Sequence, residues 1–184
     1  QTTSLISISE ISGVNSEKDS SFNKTQKRFK LQRFLIFSLL SIFEILVCFH
    51  RSCPAVVTEE LAKSYNVKES DLGIFSSMFL YPYSIGQLFA GLLSDIMDPS
   101  ILIGCSTIIA AFGSVLCALA SSLSIGCLGR FLVGLGCAFI YCPSSRIFMN
   151  WYPLTKYPIL LGLFHAMAAV GTFLGQTPFI LLAN

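Results

Sequence analysis

Residues 72–99 read LGIFSSMFLYPYSIGQLFAGLLSDIMDP, and the first 22 of them carry no charge. At about 1.5 Å of rise per residue, a helix of that length crosses the roughly 30 Å hydrocarbon core of a bilayer. Inside lipid every backbone N–H and C=O must be satisfied within the segment, so such a stretch has few folds open to it besides a helix. Its polar residues are ordered. Tyr83, Gln87, Gly91 and Asp95 recur at every fourth position, which puts them close to one helical face. That face suits a neighbouring helix or a water-filled cavity, not lipid. Pro82 sits within the span, where neighbours or water can satisfy the carbonyl it frees.

The rest of the chain follows the same logic. Charged residues make up 12% of the sequence, against about a quarter in soluble domains, and the apolar residues come in long runs. The expectation is an all-α, multi-pass membrane protein. A helical bundle is expected over residues 34–184, with spans at about 34–57, 72–93, 101–120, 125–149 and 158–183. Residues 1–33, rich in Ser, Thr, Asn and Lys, are expected to form a disordered tail. Residues 58–71 read as a solvated outer loop. The short turn at 121–124 makes the third and fourth spans antiparallel neighbours. The inside segments hold eight Lys/Arg, six of them in the tail plus Arg146 and Lys156. Four lie outside: Arg51, Lys63, Lys68 and Arg130. This bias places the tail in the cytoplasm. The seven Cys are odd in number and have no CxxC pair, so they read as small hydrophobes rather than a disulfide frame or metal site. The chain opens on Gln1 and stops in or just after an apolar run, as a fragment of a longer protein would.

Ionisable residues inside spans are functional candidates by default. The first span carries Glu44, His50 and Arg51. Glu44 and Arg51 are seven residues apart, about two turns and roughly 10 Å, so they share a face without touching. A carboxyl in a low-dielectric cavity can carry a coupled proton; the alternative is a fixed structural partner for an Arg or a backbone group. Arg51 can hold a carboxylate or phosphate of a solute, or reach the outer headgroups. Tyr83 and Gln87 can line a cavity and bind solute, or join helices. Arg146, near the inner interface, reads as snorkelling. His165 reads as a hydrogen-bonded packing residue, for which a near-neutral titration only makes proton coupling possible. Gly171 and Gly175 read as packing, Trp151 and Tyr152 as interfacial anchors. Walker-type loops, HExxH strings and nucleophile–base pairs are lacking. No enzyme activity, catalytic residue, metal or cofactor is expected, and no basic patch interleaved with aromatics points to nucleic acid.

Two strings carry a resemblance. Gly91-Leu-Leu-Ser-Asp95, between the second and third spans, is similar to the signature loop of the major facilitator superfamily, roughly G-x-L-a-D-r-x-G-r-k. Arg130-Phe-Leu-Val-Gly134-Leu-Gly136-Cys-Ala138 resembles that family's R-x-x-x-G-x-G-x-A pattern. Arg51-Ser-Cys-Pro54, Leu72-Gly73, Tyr83 to Gln87, and Arg146 to Pro153 resemble a branch of bacterial and protist permeases. The resemblance covers about residues 31–182. The loop departs from the family at its basic and glycine places, which hold Ile96, Asp98, Pro99 and Ser100. It implies five transmembrane helices of the N-terminal six-helix bundle, with the remaining C-terminal half of the same polypeptide as partner alongside a small-molecule solute and the bilayer. The implied function is secondary active transport of a small polar solute by alternating access. With Glu44 and Arg51 both facing the cavity, the expected cargo is an organic anion or zwitterion carried with a proton. Arg51, Tyr83 and Gln87 are the expected solute-binding residues, Glu44 and Arg130 the proton-coupling ones (a structural role is the favoured alternative for Arg130), and Gly91 and Asp95 the conformational loop. The alternative is a non-transporting receptor or scaffold on the same fold; a stand-alone channel of five or six spans is a further one.

Overall fold

The computed structural model describes residues 2–55, 62 and 72–182, with side chains at 22–54, 62 and 73–176. The outer loop expected at 58–71 lies outside these apart from Ala62. The described secondary structure is helical throughout. It comprises α1 (Thr2–Ser52), a 3-10 turn at Cys53–Ala55, α2 (Leu72–Ile96), α3 (Pro99–Ala118), α4 (Leu123–Ala138), α5 (Tyr141–Trp151) and α6 (Tyr157–Leu182). The chain divides into two units, Gln1–Leu39 and Leu40–Asn184. The first is helix from Thr2, well ahead of the start expected at residue 34. It holds no proline and one glycine, Gly13, so nothing in it breaks a helix once formed. The second unit carries the packed bundle.

Among the described residues, four stretches are long and apolar enough to cross a membrane: Phe22–Ser52, Pro99–Ala118, Leu123–Trp151 and Tyr157–Gln176. At 25 residues α2 has the length, but its Tyr, Ser and Gln side chains dilute its hydropathy. It needs the bundle on one side. Its buried line runs Phe75, Phe79, Pro82, Gly86, Ala90 and Ser94. The opposite stripe of Tyr81, Ile85, Leu88, Leu92 and Ile96 is exposed, Leu88 at 79%, as lipid contact requires. Tyr83, Gln87 and Gly91 lie between the two, half-buried.

Sequence chemistry sets the helix ends. Pro54 ends α1 at Ser52, because proline lacks the N–H that the next turn would need. Asp98 caps α3, its Oδ1 accepting from Ser100 N at 2.9 Å, and Pro99 opens the helix. The fourth span, expected to be continuous over 125–149, is broken at Phe139–Ile140. Pro143 explains the break: it cannot donate to the Phe139 carbonyl, and its ring crowds that group. Ser144 Oγ donates to the Ile140 carbonyl at 2.7 Å, and Ser145 Oγ to that of Cys142 at 2.8 Å.

Helix α4 is the hub. Residues two apart on a helix point in nearly opposite directions, about 200° apart, so the two glycines of the R-x-x-x-G-x-G-x-A string serve different neighbours. A Cβ on Gly134 would strike the backbone of Phe79 in α2. One on Gly136 would come within 2.6 Å of Ala110 N and Ser106 O in α3. Gly113 and Gly129 face each other's backbones in the same way. Ala138 is fully buried and lies against Gly86. Val47, Phe79, Val133, Cys137 and Ile140 form the core where α1, α2 and α4 meet. On the other flank, Gly171 sits on the backbone of Ile45, and Gly175 against Phe49 and Ser52. This is the packing expected of that pair. Both partners advance together along the chain, so α1 and α6 run parallel, as first and fifth crossings must.

Candidate functional site

Ser41, Glu44 and Cys48 share one buried face of α1. Glu44 is 8% exposed, and neither its Oε2 nor the Ser41 Oγ has a hydrogen-bond partner. A buried polar atom without a partner carries a desolvation penalty of about 1–3 kcal/mol, more when charged, and is kept where it serves a task. Glu44 lies within electrostatic range of His165 in α6 and Arg51 in α1. Tyr83 of α2 feels both Glu44 and Arg51. The expected residues Glu44, Arg51 and Tyr83 therefore share one electrostatic neighbourhood. The Tyr83 ring stacks on Phe79 with centroids 5.6 Å apart, and its hydroxyl accepts from Gln87 Nε2 at 2.7 Å. Tyr83 and Gln87 are thus joined to each other within α2, holding a polar face in fixed orientation. Arg51 is exposed.

Arg130 joins α4 to the end of α1. Its Nη1 donates to the His50 carbonyl at 2.8 Å, and its guanidinium lies 5.0 Å from the Phe75 ring centroid. The His50 carbonyl is one of the last four of α1, which lack intrahelical donors and carry the negative end of the helix dipole. Arg130 caps that end. An Arg130→Leu variant is expected to loosen the α1–α4 contact, lowering the thermal midpoint of the full-length protein in detergent by several degrees. Arg130→Lys, which keeps charge but loses the planar fork, is expected to fall between.

At the other end of the bundle, Asp95 Oδ1 forms an ion pair with Arg146 Nη1, linking α2 to α5. Arg146 was expected to snorkel; it is instead held by a partner. A Cβ on Gly91 would meet nothing within 4 Å, and Asp98 is the residue that caps α3. The Asp95–Arg146 side chains are 71% and 34% exposed, so the pair contributes at most about 1 kcal/mol. Asp95→Arg or Arg146→Asp alone is expected to lower the midpoint slightly, and the double exchange to restore it; an unrestored midpoint in the exchange would contradict the pairing.

Sequence reasoning read His165 as a hydrogen-bonded packing residue, with proton coupling as the open alternative. The break after Ala138 puts Tyr141 at the first turn of α5, where its hydroxyl lies 3.4 Å from His165 Nε2 and the two rings meet edge to face at 5.4 Å. Pro143 was the available signal. Phe148 and Phe164, both fully buried, pack edge to face at 5.2 Å and fix α5 on α6. A separate recess of about 190 Å³ lies between α1, α3 and α4, lined by residues such as Phe43, His50, Thr107 and Cys137. It is mainly apolar and does not include Glu44. Among the described residues no group of three His, Cys, Asp or Glu side chains could hold a metal.

This arrangement of glycine-packed helices has known counterparts. The profile described as Major Facilitator Superfamily matches residues 34–182. The protein named "Probable sulfoacetate transporter SauU" of Cupriavidus necator is 25% identical over 139 residues, covering 76% of this chain and 32% of that protein. "Uncharacterized transporter YybO" of Bacillus subtilis is 29% identical over 143 residues, covering 78% and 33%. Among solved structures, a bacterial homolog to the human lysosomal transporter Spinster, in its inward-facing and unoccupied conformation, superposes with a TM-score of 0.74. It is 21% identical, over 78% of this chain and 30% of that one. The chain thus spans about a third of the length of these relatives. With its broken fourth helix and its glycine seams inside the matched region, the chain is an integral, multi-pass membrane protein belonging to the Major Facilitator Superfamily.

Proposed function

We propose that this chain is the N-terminal part of a secondary active transporter that moves an organic anion or zwitterion together with a proton by alternating access. The observation that carries the reading is Glu44: a carboxyl buried in a membrane-spanning helix, with an oxygen left unpaired and a cationic side chain, Arg51, two turns along the same helix. An intramembrane acid kept in that state marks an ion or solute route. Arg51, Tyr83 and Gln87 offer the guanidinium fork and hydroxyl–amide pair that a small anion needs, and the name of the Cupriavidus relative, a sulfoacetate transporter, supports that chemistry. The solute would sit near mid-membrane between this bundle and a C-terminal half, as in transporters built from repeated halves. The tail would face the cytoplasm.

The test is uptake of labelled sulfoacetate and a panel of carboxylates by the full-length protein in vesicles under an imposed pH gradient. Accumulation lost in Arg51→Ala and kept in Lys156→Ala, a loop residue, is the expected result. Absence of uptake for every anion would overturn the reading. It would favour a receptor or scaffold on the same fold, a reading supported by the loop places at Ile96, Asp98, Pro99 and Ser100, where the basic latch residues are missing.

A further inference from the structure

We propose that the cationic face of α1 between Lys24 and Lys30 binds a polyphosphorylated lipid headgroup, of the phosphatidylinositol bisphosphate class, in the leaflet beside it. Lys24, Lys27, Arg28, Lys30 and Arg33 crowd into one short stretch of a chain that holds 12 Lys and Arg in all. No acidic residue falls between Asp19 and Glu44. The stretch is helical, and Lys24, Lys27, Arg28 and Lys30 are exposed. At 3.6 residues per turn, these four fall within about 160° of the helix circumference. Phe22 and Phe29 take the opposite side. Lys24, Lys27 and Arg28 border one hollow of the helix surface. Among the described residues no carboxylate pairs with any of the four. Membrane topology asks for cations on this side of the first span. It does not ask that they share a face.

Height selects the ligand. From Phe34 to Ser52 the helix runs about 28 Å at 1.5 Å per residue, close to the depth of the hydrocarbon core. Residues before Phe34 therefore stand outside the core. Along the axis from Phe34, Lys30 lies about 6 Å out, Arg28 and Lys27 about 9 and 10 Å, and Lys24 about 15 Å. The headgroup layer is roughly 5–7 Å deep on each side. The phosphodiester of an ordinary anionic lipid lies within that layer, level with Lys30, and screening over about 8 Å weakens its pull on the cations above. A phosphorylated inositol ring carries monoester phosphates farther out, level with Arg28 and Lys27. The Arg28 fork can take two oxygens of one such phosphate. Lys27 flanks the same hollow, and Lys24 closes it one turn up. The cytoplasmic leaflet, which the tail would face, is the anionic one, and a cluster of four or more cations beside a span suits such headgroups.

The test uses the full-length, cysteine-free protein in lipid nanodiscs, with a donor dye on Gln26→Cys, off the cationic face. The discs hold acyl-chain-labelled acceptor lipid, either phosphatidylinositol bisphosphate or, at equal surface charge, phosphatidylserine. The readout needs no transported solute and no proton on Glu44. The bisphosphate lipid is expected to be enriched about tenfold near the dye over its share of the disc, and phosphatidylserine by no more than about twofold. Lys24→Gln, Lys27→Gln and Arg28→Gln combined should return the bisphosphate lipid to its bulk share at an unchanged thermal midpoint, because all three side chains are exposed. Arg28→Lys, which keeps the charge and loses the fork, should fall between, and Lys156→Gln should change nothing. Free inositol trisphosphate should compete only at far higher concentration. Displacement at equimolar amounts would give the site a soluble ligand and overturn the lipid assignment. Equal enrichment of the two lipids, no enrichment of either, or enrichment that survives the triple variant overturns the recognition itself.

Discussion

Glu44→Gln is expected to abolish accumulation while leaving the solute able to cross. A gradient of one pH unit supplies about 1.4 kcal/mol per proton, so electroneutral one-to-one cotransport concentrates a solute about tenfold. Glutamine keeps the shape of the protonated acid and removes the proton it would carry. In vesicles holding the full-length variant, the inside-to-outside ratio of labelled anion should fall from about ten to about one, with exchange at equal pH preserved. The structure supports so complete an effect because, among the described residues, no second carboxylate shares the site. The acidic residues Asp95 and Asp98 lie at the far end of α2 and the turn after it, and Asp95 is already paired. An unchanged tenfold ratio in Glu44→Gln would move the coupling group elsewhere.

Gly134→Val is expected to be the most damaging substitution for folding. The missing side chain at 134 is filled by the Phe79 backbone, which cannot rotate away as a side chain can. Forcing even a methyl into a packed seam costs about 1–3 kcal/mol, and valine adds two more carbons at the hub of the bundle. The expected outcome is a large fall in yield of monodisperse full-length protein and a thermal midpoint lowered by well over the shift of Gly134→Ala. Gly104→Ala is the comparison. A Cβ there meets nothing within 4 Å, and alanine is the better helix former by about 1 kcal/mol, so its midpoint should hold or rise. Equal effects at 134 and 104 would contradict the seam.

The all-helical reading follows from hydropathy and chain length and holds for the described residues, but the fourth span, expected to be continuous, breaks at Phe139–Ile140. What it missed was tertiary. The period of four in Tyr83, Gln87, Gly91 and Asp95 marks a face, but not that Tyr83 bonds Gln87, nor that Asp95 finds Arg146 fifty-one residues on. Snorkelling and ion pairing ask the same residue type of the sequence; only the fold decides between them. Pro143 announced a break, yet without α6 in place nothing says that the break sets Tyr141 beside His165. The glycines were legible as packing residues, and Gly171 and Gly175 serve that role, whereas Gly91 faces open space.

The claim beneath all of this is that the polar face of α1 and α2 meets water, whereas the stripe beside it meets lipid. Single cysteines in a cysteine-free full-length protein, treated with a charged thiol reagent that cannot cross the membrane, report on it directly. Tyr83→Cys, Gln87→Cys and Arg51→Cys are expected to react, and Ile85→Cys and Leu88→Cys to stay unlabelled. Labelling at 85 and 88 with silence at 51, 83 and 87 would contradict the account.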